Sequence, residues 1–392
     1  MVYLYQQRKL QYSSDNIIHI DSEKELYDLI IEDISINNVI AVDTETEGLF
    51  DFKNKVVMLQ IGTIKNQYII DVRDFNLTYI LDILNDESIL KLLWNVKFDY
   101  KFIKKDFSVE IENIYDGFLT ELTLQCGFSK QDKKSSLAAA AFKYLNIILK
   151  KDERNSFTTI KDKHFSKGQI LYGAKDVEIL FSIKEKQQEL INLYNLQDII
   201  NLENEAILAL ADMEYNGLPF NKDKWTILAK NAEKDLKHYT EILNNYILSY
   251  PKLFNKYISG ALSLFDDVDV AKVLINWSSP TQVLDVFRTA GIDCDSVGAL
   301  EIGKFKKEEV LAKIYSDYKA TEKLATSFGM DFLKYVNPIT DRIHTDYWPI
   351  LDTHRISSSN PNCQQIPAAN KEYLACFECL GDNVIISSDF SG

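Results

Sequence analysis

Apolar and polar positions along the first 195 residues follow two periods. Three short runs, 38–43 (NVIAVD), 56–61 (VVMLQI) and 67–71 (QYIID), are continuous in apolar and β-branched side chains. That pattern predicts strands buried in a sheet. Residues 77–84 turn to apolar positions at helical spacing, 92–94 resemble another short strand, and 98–105 a helix that follows it. Helical spacing then dominates, over 135–145 and from 167 to about 193. Strands first, with helices packed on them, predict an α/β layered domain over 1–195.

From 196 to about 335 the pattern is almost wholly helical. Residues 202–214 (LENEAILALADME) place apolar side chains three and four apart until Asn216-Gly217 stops them. Residues 276–290 carry Ser278-Ser279-Pro280, a helix start with proline in the first turn, and 307–328 form another amphipathic stretch. All seven prolines lie at or after Pro219, four of them between Pro338 and Pro367. The last segment, 336–392, therefore reads as short strand-like runs, at 342–347 and 384–389, alternating with turns. The predicted division is 1–195, a helical 196–335, and a partly irregular 336–392.

Composition narrows the class. The 392 residues are 46% hydrophobic and 26% charged, the balance of a globular chain with a proper core. No apolar run escapes charge for long enough to cross a bilayer, and Met1 to Asp15 hold no signal-like apolar stretch. Five scattered cysteines fit a reducing interior, so the cytoplasm is the expected location and no membrane partner is expected. Cys376 and Cys379 form a C-x-x-C without a second pair, which reads as free thiols rather than a zinc site. Trp225, Trp277 and Trp348 are expected to serve packing.

A net charge of −14 argues against a nucleic-acid partner when taken alone. It does not decide the matter, because a metal-dependent phosphoryl-transfer site is itself built of carboxylates. Two basic clusters stand out locally: Lys91, Lys97, Lys101, Lys104 and Lys105, then Lys130, Lys133, Lys134, Lys150, Lys151 and Arg154. Either one alone reads as a solvated helix face.

Three short patterns carry candidate chemistry. Asp43-Thr44-Glu45 closes a predicted strand, where residues two apart share a face. Asn95 and Asp99 open the helix after the strand at 92–94, and Tyr172 and Asp176 stand four apart on one helix face. Each pattern alone is commonplace: a loop acid, a cap, a surface hydrogen bond. Together, four carboxylates at one point would repel unless cations neutralise them. Oxygen-only donors select Mg²⁺ or Mn²⁺, and two such ions roughly 3.5–4 Å apart can clamp a phosphodiester. Tyr172 could then orient the attacking water. None of the five histidines adjoins these acids, which speaks against zinc.

On VDTETEGL, NVKFD and YGAKD, the first 195 residues resemble the DEDD superfamily of 3′–5′ exonucleases, in the subgroup with a tyrosine in its third motif. The resemblance implies a ribonuclease H-like mixed-sheet fold, with Asp43, Glu45, Asp99 and Asp176 as metal ligands and Tyr172 orienting water. It puts Asn95 against the substrate strand near its 3′ end and Leu49 as an apolar wedge at the terminal base. SSLAAAAFKYLNI and FSKGQILYGAKDVEIL also resemble ribonuclease D.

The second half resembles the family A DNA polymerases. LENEAILALADMEYNGLPFN looks like the start of that family's thumb, and NWSSPTQVLDVFRTAGI like a later thumb helix with Thr281 in place of a lysine. RIHTDYWPILDTHRISSSNPNCQQIP resembles the lead into the palm, with His354 where the family has glycine. The resemblance makes Arg355, Asn360 and Gln364 contacts to primer-template DNA. VIISSDFSG resembles the first polymerase motif, which makes Asp389 a metal-binding aspartate. The family's fingers helix and second palm aspartate have no counterpart in these residues, so polymerisation is expected to need a second polypeptide that carries them. The expected reaction is Mg²⁺-dependent release of mononucleotides from a single-stranded DNA 3′ end, in a proofreading enzyme such as an AT-rich phage would encode. Two rivals remain: a ribonuclease D-like exoribonuclease, and a non-catalytic subunit that binds primer-template.

Overall fold

A computed structural model describes residues 1–6, 16–49, 52–73, 77–128, 133–149, 153–160, 164–259, 272–367, 369–379, 381, 383, 384 and 386. Two compact units account for them. One comprises Met1–Gly217 with His344–Asn362, the other Leu218–Ile343 with Cys363–Gly392.

The first unit is built on strands β1 (Val2–Tyr5), β2 (Ile17–Ile20), β3 (Val39–Thr46), β4 (Val56–Gly62), β5 (Gln67–Asp71), β6 (Leu90–Leu93) and β7 (Ile114–Asp116). They form one mixed sheet in the order β2-β1-β5-β4-β3-β6-β7. β3 runs antiparallel to β4 and parallel to β6. The helices are α1 (Glu23–Ile34), α2 (Tyr79–Asn85), α3 (Val96–Phe107), α4 (Gly117–Leu124), α5 (Leu137–Leu145), α6 (Lys167–Tyr194) and α7 (Gln197–Asn216). A hairpin of β8 (Asp346–Trp348) and β9 (Ser357–Ser359) completes the unit. This is the α/β layering that the strand and helix patterns predict, in the mixed-sheet, ribonuclease H-like form that the resemblance implies.

The continuous apolar runs are explained by cover on both faces of the sheet. Ile40 and Val42 of β3 join Leu26 and Ile30 of α1, Ile83 of α2 and Ile103 of α3 in the largest core. Ala41, between them, faces the other way and packs with Val177 and Leu180 of α6. α6 is fixed at its start by a capping box, in which Ser166 and Gln169 each accept the other's backbone N–H.

Several elements differ from the sequence expectation. α1, β1, β2 and β7 were not read, and α7 and residues 344–362 group with the first unit rather than with the segments around them. Ile207, Leu210 and Ala211 of α7 and Ile350 are buried in the first unit's largest core, which is what ties them there. Trp225 and Trp277 are buried as expected, but Trp348 is 44% exposed.

The first basic cluster is not a solvated face. Lys91 is fully buried in β6, bonded to the Asp86 carbonyl, and burial lowers its amine to about 8. Lys97 and Lys101 both pair with the buried Glu214 of α7, and Lys104 pairs with Asp212. In the second cluster Lys133 pairs with Asp352, while Lys130, Lys150 and Lys151 lie outside the described residues. All five cysteines are free thiols. Among the described residues, no helix is long and apolar enough to cross a membrane.

The second unit is mainly helical. Asn221 caps α8 (Lys222–Ser249) by accepting the Lys224 N–H at 2.9 Å. One of its cores gathers Leu243, Ile247, Trp277, Val283, Phe287 and Tyr315, and the Trp277 indole donates to Asn244 at 2.9 Å. The other surrounds Trp225, stacked on Phe332 at 4.4 Å with Phe220 and Tyr373 beside it. The helix Pro280–Thr289 begins with proline, as its sequence predicts.

Candidate functional site

The acidic end of β3 lies under α6. Asp43 and Glu45, two residues apart, point to the α6 side of the sheet, and a register shift between Glu45 and Thr46 disturbs the ladder with β4 just beyond them. Asp176 meets them from α6, and carboxylate oxygens of the three lie within 4.8 Å of one another.

Asp99 stands beside this cluster rather than within it. It is buried near the start of α3, and Thr44, on the opposite face of β3 from Asp43, donates its hydroxyl to Asp99 Oδ1 at 2.5 Å. Its charge is felt at Asp43. Thus three of the four expected acids share one pocket and the fourth adjoins it.

The acids raise one another. Burial, then the charges of Asp99, Glu45 and Asp176, pushes the Asp43 carboxyl well above its ordinary value. Burial and Asp176 bring Glu45 up to about 8, with Arg154 pulling the other way. Asp99 rises to about 7 through burial, held back by the Thr44 bond. Asp176 rises to about 6 through burial, offset by its hydrogen bond with Tyr172 and by Arg154. Tyr172 itself is half-buried, and burial with the surrounding acids pushes its phenol upward, so it stays a neutral donor. Mutually repelling carboxylate oxygens, joined by no cysteine or histidine among the described residues, are a donor set that fits a hard divalent cation.

Close packing sets this geometry. A methyl group at Gly173 would stand 2.9 Å from the Gln60 amide nitrogen and 3.1 Å from the Met58 sulfur, so glycine lets α6 settle onto β4. Gln60 lies directly across the ladder from Asp43, fully buried, and its amide has no partner among the described residues. The start of α3 is held differently. Asn95 takes a left-handed backbone, with φ of 70°. The buried Asp116 carboxylate accepts the N–H groups of Asn95 at 2.8 Å and Val96 at 3.0 Å, and those of Phe118 and Leu119 at the start of α4.

The sequence reading missed Thr44, Gln60 and Asp116. Thr44 sits inside the D-T-E pattern and could have been noticed there. Nothing local marks the other two. Of the remaining expected site residues, Leu49 is 74% exposed and Asn95 half-buried. Arg355 and Asn360 are exposed in the first unit, where the Asn360 amide donates to Asp346 at 3.1 Å. Gln364 is exposed and belongs to the second unit. Asp389 lies outside the described residues.

Comparison with known proteins divides the chain in two. Residues 17–192 match the family model described as 3′-5′ exonuclease, and residues 268–392 match DNA polymerase family A. DNA polymerase I of Rhizobium leguminosarum is 23% identical over 323 residues, which are 79% of this chain and 29% of that protein. DNA polymerase I of Synechocystis is 24% identical over 327 residues, 79% of this chain and 30% of that protein. The chain thus spans about three tenths of the length of these curated relatives. Among solved structures, the POL domain of Pol1 from M. smegmatis, in complex with DNA primer-template and dNTP, has a similar fold. Its TM-score is 0.64 at 16% identity, covering 89% of this chain and 56% of that one.

Proposed function

We propose that this chain, which belongs to the family A DNA polymerases and carries that family's 3′–5′ exonuclease domain, hydrolyses the last phosphodiester bond at a DNA 3′ end. The observation that supports this reading is the convergence of half-buried Asp43 and Glu45 with buried Asp176, and Asp99 beside them, in one carboxylate pocket. Asp43, Glu45, Asp99 and Asp176 would hold two divalent cations, Mg²⁺ or Mn²⁺. When bound, such ions supply Lewis-acid stabilisation of the phosphodiester oxygens and a water acidic enough to attack.

The protein's own groups do the rest. Tyr172, kept neutral, donates its phenol proton as a hydrogen bond and orients the attacking water. Thr44 fixes the Asp99 carboxylate. Asp116 holds the backbone at Asn95, whose amide meets the sugar-phosphate near the 3′ end, and the exposed Leu49 offers an apolar surface to the terminal base. Arg355, Asn360 and Gln364 are assigned to duplex DNA, in keeping with the primer-template held by the M. smegmatis protein.

The test is digestion of 5′-labelled single-stranded DNA in Mg²⁺. The wild-type chain should release mononucleotides from the 3′ end, and chelation should stop it. Asp43→Ala and Asp99→Ala, singly and together, should abolish digestion with the fold intact by circular dichroism. A double variant that digests at the wild-type rate overturns the assignment. RNA of the same sequence, run alongside, separates a deoxyribonuclease from a ribonuclease.

A further inference from the structure

The two basic clusters leave one cation in a distinctive place. Arg154 opens the 3-10 turn Arg154–Thr159, which packs against β3. The turn is anchored three times over. Phe157 is fully buried, its ring lies 6.3 Å from that of Tyr172, and Ser156 accepts the Gln169 amide of α6 at 2.8 Å. Arg154 is therefore carried on a fixed segment beside the carboxylate pocket, and its charge is felt at both Glu45 and Asp176. Yet it is exposed, and among the described residues it makes no ion pair or hydrogen bond. Lys97, Lys101, Lys104 and Lys133 differ: each is matched by a carboxylate of the same unit.

A guanidinium whose charge reaches Glu45 and Asp176, yet closes on neither among the described residues, can take an anion from outside. Its planar fork suits two oxygens of a phosphodiester, and the exonuclease reading brings such a group to this pocket. We propose that Arg154 is a substrate-binding residue that grips a backbone phosphate of the DNA strand next to the scissile bond. The inference rests on the exonuclease assignment and adds to it a contact that none of the three acidic motifs contains. Binding there also places a positive charge where an acidic protein would otherwise repel the strand.

The experiment uses the full chain with 5′-labelled single-stranded DNA in Mg²⁺, with KM and kcat measured across a series of KCl concentrations. Arg154→Ala should raise KM about tenfold with kcat changed less than about threefold. It should also flatten the dependence of log KM on log salt by about 0.7, the loss of one phosphate contact on a single strand. Arg154→Lys should restore the salt slope while recovering only part of the KM. Because the side chain is exposed, both variants should melt with the wild type. If Arg154→Ala leaves KM and the salt slope unchanged and only moves the acidic limb of the pH–rate profile upward, the arginine acts through Glu45 and Asp176, and the proposal is overturned. A wild-type chain that digests neither DNA nor RNA removes the exonuclease reading itself, which is a different result.

Discussion

Thr44 donates its hydroxyl to Asp99 Oδ1 at 2.5 Å, across 55 positions of sequence. This bond joins the strand that bears Asp43 and Glu45 to the helix that bears Asp99, so the fourth acid is placed by the residue lying between the first two. Thr44→Val keeps the shape of the buried side chain and removes the donor. A hydrogen bond to a charged group contributes about 1.5–3 kcal/mol. The variant should therefore lose roughly tenfold or more in kcat, with the acidic limb of its pH–rate profile shifted upward as Asp99 becomes harder to ionise. An unchanged profile would mean that the bond does not orient the acid.

The acid pocket predicts an unusual pH dependence for the metal-free protein. Glu45, Asp99 and Asp176 titrate at about 8, 7 and 6 in the fold, above the ordinary carboxylate range. Between about pH 4 and 8 the folded chain then binds more protons than the unfolded chain, so stability falls as pH rises through that window. Urea melts in a chelator should show the decline, and Mg²⁺ should reverse it most strongly near pH 8. Asp43→Asn should melt higher than the wild type in chelator at pH 8 and gain less from Mg²⁺.

Asp116 is the acid whose role is structural. Its buried carboxylate satisfies backbone N–H groups at the starts of two helices, with Asn95 and Val96 on one side and Phe118 and Leu119 on the other. Asp116→Ala should destabilise the first unit by about 3 kcal/mol, because buried donors left without acceptors cost about 1–3 kcal/mol each and relax only in part. Digestion should fall at temperatures where the fold persists, since Asn95 and Asp99 depend on this clamp. A urea midpoint matching the wild type would contradict it.

His354 sits at φ of 54°, a left-handed backbone, where the resemblance to family A polymerases implies glycine. The side chain is exposed, so little packing opposes the exchange. His354→Gly should raise stability by about 0.5–1 kcal/mol, and His354→Val should lower it, since a left-handed backbone costs roughly 1–2 kcal/mol for a residue with a Cβ. Thermal melts of the two variants should move in opposite directions.

Legibility in the sequence follows the range of the forces involved. The runs at 38–43, 56–61 and 67–71 are readable because α1 to α3 cover one face of the sheet and α6 the other, leaving no room for polar alternation. The pairs Asp43/Glu45 and Tyr172/Asp176 are readable because strand and helix periods fix their faces locally. β1 and β2 were not readable. Each is four residues long and owes its pairing to a parallel neighbour supplied from elsewhere, β5 for β1 and β1 for β2. α1 (EKELYDLIIEDI) hides its apolar stripe among five acids, although Ser22 caps it by accepting the Glu25 N–H. Asp116 and Gln60 act on backbone or space that only the closed fold brings near. The lysines from 97 to 104 read as a solvated helix face until the acids of α7 are placed against them.

Glu214 takes Lys97 and Lys101 with its carboxylate and also accepts the Tyr347 N–H at 2.7 Å, while its carbonyl meets His344 Nδ1 at 2.8 Å. A single residue thereby fastens the hairpin at 344–362 to the helix that presents Asp99. The smallest self-sufficient form of the first unit is consequently not a prefix of the chain. Truncation after Gly217 would strip away Ile350 and uncover apolar surface on α7, whereas a circularly joined fragment that keeps 344–362 would retain its seal.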